Sequence, residues 1–103
     1  MRIIEGYFID VRDCDNDGTI ILNLPHGAEV LSVTSEPNNN LMYLWVDHEV
    51  THSKNHTDKR HFVLIPRGRE YKNKAGRLKF IATVITNGSS LVFHVFERVS
   101  AYY

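Results

Sequence analysis

The chain lacks most features that mark a secreted or membrane protein. Its single cysteine, Cys14, excludes an intramolecular disulfide and is typical of a reducing compartment. No apolar run reaches the ~18 residues that a membrane helix needs. Glu5 and Asp10 interrupt any signal-peptide core near the start. We therefore expect a cytoplasmic protein that makes no membrane contact.

The chain also lacks net charge, repeats and segments of low complexity. A formal net charge of zero argues against long nucleic acid as a partner. With 43% hydrophobic residues, the chain has enough apolar side chains for a folded core. A length of 103 residues predicts one β domain over residues 1–103.

What the chain does have is apolar residues that recur with a period of two. The pattern predicts strands at residues 3–11, 19–24, 28–36, 41–47, 61–65, 78–86 and 89–97. Asn87-Gly88 is the clearest turn, and Gly6 is predicted to form a bulge or bend. Residues 48–60 are predicted to be an exposed loop and residues 98–103 a short tail. The fold class is therefore all-β, a small antiparallel sandwich or barrel of about seven strands.

Two predicted strands carry the largest apolar side chains. In residues 41–47, Tyr43 and Trp45 share one face, and burial of Trp45 in the core is favoured over stacking on a base. The last strand is apolar on both faces, so a second layer, a closed barrel or another subunit must cover it. Within it, His94 is predicted to be a packed, hydrogen-bonded side chain, with Glu97 on the opposite face.

Charge is divided along the chain although the total is zero. Residues 1–50 hold nine carboxylates against two arginines, a net charge of −7. Residues 54–79 hold nine basic side chains against two acidic ones, a net charge of +7. Mutual neutralisation on a solvated surface is the favoured interpretation. The alternative is a cationic site for a phosphate or another anion.

Pro66-Arg67-Gly68-Arg69 is the densest part of the basic stretch. Glycine lets a backbone approach a ligand closely, and two guanidinium groups match the oxygens of a phosphate. The Gly-Lys-Ser/Thr ending of a phosphate-binding Walker loop is missing. An ordinary turn with exposed arginines explains the same residues and is slightly favoured.

Two patterns raise the question of a metal. Asp13, Asp15 and Asp17 have the spacing of the first half of a calcium loop, but Leu24 stands where its bidentate glutamate belongs. A hairpin loop capped by its own aspartates is the favoured interpretation. His48, His52 and His56 are four residues apart, which suits a metal site only on a helix, and a polar loop rich in histidine is favoured. We predict no metal and no cofactor.

No catalytic constellation is evident. Cys14 lies among acidic residues, which are expected to raise its pKa and suppress thiolate chemistry. Ser89 and Ser90 stand in a predicted turn without the G-x-S-x-G pattern of a nucleophile elbow. We therefore predict that the chain is not an enzyme.

Three segments resemble a widespread family of small phage-encoded all-β proteins of unknown function. They are R-I-I-E-G-Y at residues 2–7, L-P-H-G-A-E-V-L-S-V at residues 24–33 with L-W-V-D at 44–47, and L-V-F-H-V-F-E at residues 91–97. The last segment is the most specific. The chain departs from the family in a longer polar loop at 48–60 and a longer basic stretch at 66–79.

The resemblance implies a phage origin and a location in the cytoplasm of an infected host cell. Small phage proteins often counter host defence, and some are anti-CBASS sponges, oligomers that bind cyclic-nucleotide immune signals without cleaving them. Our leading hypothesis is such a sponge, self-associated as a dimer or tetramer. Arg67, Arg69 and Lys72 would contact phosphates, and Trp45 or Tyr71 would stack on bases.

Two other classes of function stay open at this point. One is a protein–protein inhibitor or adaptor that binds a host factor through the acidic half or an aromatic patch. The other is a minor virion or assembly protein.

Overall fold

A computed structural model describes residues 1–36, 41–50, 56–73, 76–86 and 91–99. Over these residues the chain forms seven strands: β1 (Arg2–Asp10), β2 (Thr19–Pro25), β3 (Glu29–Ser35), β4 (Leu41–Glu49), β5 (Thr57–Pro66), β6 (Leu78–Thr86) and β7 (Leu91–Arg98). A 3-10 turn, Val11–Asp13, follows β1. The predicted Asn87-Gly88 turn, with Ser89 and Ser90, lies outside the described residues.

The strands form two antiparallel sheets that pack face to face. One sheet has the order β1-β4-β3 and the other the order β2-β5-β7-β6. At one side of the molecule, β3 packs against β6. The predicted all-β antiparallel fold is confirmed, and the sandwich is the correct alternative, because the sheets are not closed into a barrel. The part of the chain that the structure describes contains no helix with the length and hydropathy to cross a membrane.

The core lies between the sheets and is built from alternate residues of each strand. On β4, the inward side chains are fully buried, as the period of two predicts: Met42, Leu44 and Val46. Their partners across the core include Leu24, Phe62, Leu64, Phe93 and Val95. Each such side chain contributes about 1.5–3 kcal/mol by leaving water.

The two apolar faces of β7 are both covered within one chain. Phe93 and Val95 point into the core between the sheets. On the outer face, Phe96 is buried in a second cluster with Val63 and Ile65 of β5. Side chains of the same molecule therefore cover Phe96 on the outer face of β7, so this strand does not require another subunit.

An ion pair between the half-buried Arg60 and the buried Glu97 crosses the inner side of the four-stranded sheet. Arg60 Nε donates to Glu97 Oε2 at 2.5 Å, and Arg60 Nη2 donates to Glu97 Oε1 at 2.8 Å. Arg60 Nη1 donates to the Ala28 carbonyl oxygen, just before β3. The hydrogen bonds to Glu97 raise the pKa of Arg60 above its ordinary value. The guanidinium group thus joins β5, β7 and the entrance to the other sheet.

The exposed loop predicted at residues 48–60 is shorter than expected. Strand β4 continues to Glu49 and β5 begins at Thr57, so only residues 50–56 connect them. Both strands extend into this polar segment because polar side chains there are hydrogen-bonded. On β5, Arg60 binds Glu97, and on β4, the buried His48 binds Glu5. Residues 51–55 lie outside the described part of the chain.

The predicted tail is also shorter at its start. Arg98 belongs to β7, and the Val99 N–H donates to the Arg77 carbonyl oxygen at 2.7 Å. Residues 100–103 are not among those described.

The predicted bulge at Gly6 is wrong. Strand β1 pairs with β4 in continuous register, and Gly6 lies opposite Trp45. A Cβ atom at Gly6 would lie 3.0 Å from the Trp45 ring. The glycine therefore makes room for an aromatic ring across the strands.

We expect Glu97→Gln to lower the free energy of unfolding by about 2 kcal/mol, because it leaves a half-buried guanidinium group without its carboxylate. The double variant Arg60→Met/Glu97→Leu, which replaces the pair by apolar groups, is expected to be more stable than Glu97→Gln. Urea unfolding measures both values. Equal stability of Glu97→Gln and the unsubstituted protein would contradict this role for the ion pair.

Gly18 and Gly27 provide a matched pair for a second stability prediction. Both have φ near +70° (76° and 71°), but a Cβ atom would lie 2.5 Å from the Leu64 carbonyl oxygen at Gly18 and would contact nothing within 4 Å at Gly27. We expect Gly27→Ala to cost about 1 kcal/mol from backbone strain alone. Gly18→Ala should cost about 3 kcal/mol, because the hairpin must also move away from β5. Urea unfolding that ranks the two variants equally would disprove the close approach at Gly18.

Candidate functional site

The connection from β5 to β6 begins with a tight turn. The Arg69 N–H donates to the Pro66 carbonyl oxygen at 3.1 Å, and Gly68 has a φ of 82°, as the third residue of a type II turn requires. The Arg67 N–H donates to the Val92 carbonyl oxygen at 3.0 Å, which fixes the turn to β7. The segment is therefore a tight turn with both arginine side chains exposed.

The chain after this turn folds back onto the outer face of the four-stranded sheet. The Tyr71 ring packs on Phe96, with 5.3 Å between ring centroids and 46° between planes. Phe96 also contacts Phe80 edge-on at 5.4 Å. Tyr71 nevertheless keeps 53% of its surface exposed. The ring is therefore held in place from one side and accessible from another, as a stacking platform needs to be.

Tyr71 belongs to a cleft with charged walls. Arg69, Glu70, Tyr71 and Lys72 line this cleft, which has a volume of about 610 Å³ and is wide open to solvent. Two cations beside an aromatic ring offer donors to an anion together with a surface for a flat group. Glu70 adds an acceptor for an amino group.

The three predicted phosphate ligands are available for binding. Arg67, Arg69 and Lys72 are exposed, and none of them forms an ion pair with another described residue. Other arginines do have carboxylate partners: Arg2 with Asp47 and Glu49, Arg12 with Asp10, and Arg60 with Glu97. Direct neutralisation by the acidic half, the interpretation favoured from sequence, is thus not found for this segment of the described chain.

Trp45 does not belong to this cleft. Its ring lies on the outer face of the three-stranded sheet, where Nε1 donates to Thr34 Oγ1 at 2.8 Å and the Tyr43 ring stacks at 5.8 Å. Because the sheets pack through their inner faces, this surface and that of Tyr71 lie on opposite sides of the sandwich. The core position favoured for Trp45 is wrong, since the smaller side chains of β4 take the inward positions. The structure therefore brings Arg69, Tyr71 and Lys72 together and leaves Trp45 apart.

The aspartate loop caps itself. Asp15 Oδ1 accepts from the N–H groups of Asp17 at 2.8 Å and Thr19 at 3.0 Å, and the Asp15 carbonyl oxygen accepts from Gly18 N–H at 3.0 Å. This geometry confirms the hairpin-cap interpretation for Asp15. Within the described residues, no group of three or more histidine, cysteine, aspartate or glutamate side chains is placed to hold a metal ion.

The histidines that the sequence grouped together have separate environments. His48 is buried, with Nε2 2.7 Å from Glu5 Oε1 and Nδ1 donating to the Glu49 carbonyl oxygen at 2.8 Å. His56 is exposed and lies near His26, with 6.2 Å between ring centroids. His52 lies outside the described residues. The structure thus makes His48 a link between β1 and β4.

His94 is half-buried and is hydrogen-bonded, as predicted. Its Nδ1 lies 2.9 Å from Thr83 Oγ1 on the neighbouring strand β6. Glu97 is on the opposite face of β7, bound to Arg60. The two side chains therefore do not form an acid–base pair.

A second cleft, of about 460 Å³, lies where β3 meets β6. Its lining includes Arg60, Glu97 and Lys79. Both charged groups of the ion pair are already occupied by one another and by Ala28. The cleft thus offers less free charge to an anion than the cleft at Tyr71.

Sequence reasoning missed the support beneath the candidate platform. The alternation along β7 places Phe96 on the outer face, but it does not reveal that Tyr71 returns to cover it. Residues 69–73 have no regular secondary structure, so no periodic signal connects them to a strand. Glu70 was missed for the same reason.

We expect the Cys14 thiol to react slowly with iodoacetamide at neutral pH. Burial raises its pKa, and the carboxylates of Asp15 and Asp13 raise the pKa further. The midpoint of the rate–pH profile should lie above that of an ordinary thiol, and Asp13→Asn should move it down. A midpoint at or below that of free cysteine would contradict the prediction.

No curated protein and no solved structure matches the chain. One family model, that of a domain of unknown function named DUF7352, matches residues 1–102 and so covers nearly the whole chain. The chain, which folds as this two-sheet sandwich, therefore belongs to the DUF7352 family.

Proposed function

We propose that this chain is a non-catalytic protein that binds an anionic nucleotide at the connection between β5 and β6. The observation that carries the proposal is the juxtaposition of Tyr71, fixed on Phe96, with Arg69 and Lys72, which form no ion pair with any residue that the structure describes. Guanidinium and ammonium groups would bind phosphate oxygens. The exposed surface of Tyr71 would stack on a base.

The position of Arg67 extends the proposed site along the same edge. Its backbone is fixed to β7 through Val92, and its side chain is exposed two residues before Arg69 in the same turn. Three cations over six residues favour a ligand with more than one phosphate. Glu70 would accept from a base amino group, which favours adenine, guanine or cytosine over uracil.

The finer part of the proposal is a cyclic-nucleotide sponge that acts in a phage-infected cell. The resemblance to small phage-encoded proteins supports this part, as does an open cleft that combines cations with an aromatic ring. A sponge sequesters its signal by mass action and needs no chemistry at the site. Base stacking is assigned to Tyr71 alone, since Trp45 lies on the other sheet.

We expect at least one cyclic di- or trinucleotide to raise the melting temperature at concentrations well above ~1 μM and to be recovered intact. Arg69→Gln and Lys72→Gln should each weaken binding about tenfold, because each removes a charge-assisted hydrogen bond. Tyr71→Ala should weaken binding by a similar factor, while Tyr71→Phe should preserve it. Isothermal titration calorimetry measures these constants.

Two matched controls localise the effect. Lys59→Gln removes an exposed cation of β5 outside the cleft, and Trp45→Phe alters the aromatic surface on the other sheet. Both should bind as the unsubstituted protein does. The proposal is wrong if no nucleotide in the panel binds, or if Lys59→Gln weakens binding as much as Arg69→Gln.

A further inference from the structure

Strand β1 is an edge strand with little protection against pairing. Among the described residues it pairs only with β4, so its other edge is open. It is nine residues long, contains neither proline nor lysine, and keeps a register without shifts. Edge strands are usually shielded by such residues or by bulges. By contrast, β3 and β6 each take part in a register shift and pack against one another.

The hydrogen-bonding groups of β1 that face the open edge can be identified. The Val50 N–H donates to the Met1 carbonyl oxygen at 2.8 Å, so the odd-numbered residues of β1 bond to β4. The Glu36 N–H donates to the Leu41 carbonyl oxygen, which fits the same parity on β4. Arg2, Ile4, Gly6, Phe8 and Asp10 therefore direct their N–H and C=O groups outward.

These outward residues have a self-complementary order around Gly6. If two antiparallel β1 strands meet with Gly6 opposite Gly6, Ile4 of one copy lies opposite Phe8 of the other. Arg2 then lies opposite the partner subunit's Asp10, so the register places no like charges opposite one another, and both side chains keep their partners within their own chain. In this register, each residue whose N–H and C=O groups point to the open edge lies opposite another such residue. A hydrogen-bonded antiparallel ladder requires this arrangement.

Two large apolar side chains at this edge, Ile4 and Phe8, are exposed to solvent, and pairing with a second strand would cover part of their surface. Ile4 is 57% exposed and Phe8 is 60% exposed, although both belong to a nine-residue strand. Phe8 already packs on Tyr43 with 4.7 Å between ring centroids. A second copy would extend this apolar row across the two-fold axis.

From this edge we propose that the protein forms a homodimer in which two β1 strands pair antiparallel about Gly6. The two three-stranded sheets become one six-stranded sheet, and each copy contributes Ile4 and Phe8 to the contact. The Tyr71 clefts stay on the outer faces of the four-stranded sheets and remain open in both copies. The dimer does not depend on nucleotide binding, so a dimer that binds no nucleotide still supports it.

Light scattering tests the stoichiometry first. The expected mass in the absence of any ligand is twice the chain mass of 11.9 kDa. A monomer mass at all concentrations would overturn the proposal. A monomer mass together with an extended peptide that copurifies with the chain would show that a different partner occupies this edge. That outcome would also overturn the proposal.

Cysteine substitutions test the register, in a Cys14→Ser background. Positions 4 and 8 of opposite copies would lie about 5.5 Å apart between Cα atoms, within the range of a disulfide. Position 4 of one copy lies about 13 Å from position 4 of the other, beyond that range. Oxidised Ile4→Cys/Phe8→Cys should therefore run as a covalent dimer on a non-reducing gel, while each single variant should stay monomeric. Cross-linking of the single variants, or none in the double variant, would overturn the register.

A charge pair tests the contact without covalent chemistry. Ile4→Glu/Phe8→Lys places opposite charges across the axis, and Ile4→Lys/Phe8→Lys places like charges there. Both variants lose the same apolar side chains, so their folding controls match. The first should dimerise at least about tenfold more tightly than the second in sedimentation equilibrium. Equal association of the two variants would contradict the contact.

Discussion

The pairing of Arg60 with Glu97 is the constraint on which much of the sandwich depends. Moving a guanidinium group to the inner side of a sheet is costly unless acceptors replace the water that it loses. Here Glu97 takes two donors and the Ala28 carbonyl oxygen takes a third. The same contact lets β5 begin at Thr57, within a segment rich in polar side chains, and ties the four-stranded sheet to the entrance of β3.

The sandwich separates two aromatic surfaces that are close in character. Phe8, Tyr43 and Trp45 form a row on the three-stranded sheet, next to the open edge of β1. Tyr71 and Phe96 lie on the opposite sheet, next to the exposed cations Arg69 and Lys72. Charge distinguishes their chemistry: the first row suits another strand of like composition, whereas the second suits an anion with a flat group.

Prediction from sequence succeeded where a residue's environment follows from its own strand. The period of two correctly places Met42, Leu44 and Val46 inward, and the capped aspartate hairpin follows from Asp15 and its neighbours. Prediction failed where a distant partner decides. His48 was assigned to a loop because Glu5, which binds it, lies 43 residues away in the chain. Trp45 was assigned to the core because size alone does not say which face of β4 points inward.

The sequence by itself determined the all-β class, the approximate strands and the presence of a concentrated basic segment, because alternation and charge are local properties. Only the tertiary structure decided that Tyr71 rests on Phe96 and that Trp45 lies on the other sheet. It also decided that β1 lies at the end of a sheet, where no other strand of the described chain pairs with its outer edge. Sheet order and the folding of an irregular segment onto a strand depend on long-range packing, which no periodic pattern within a segment encodes.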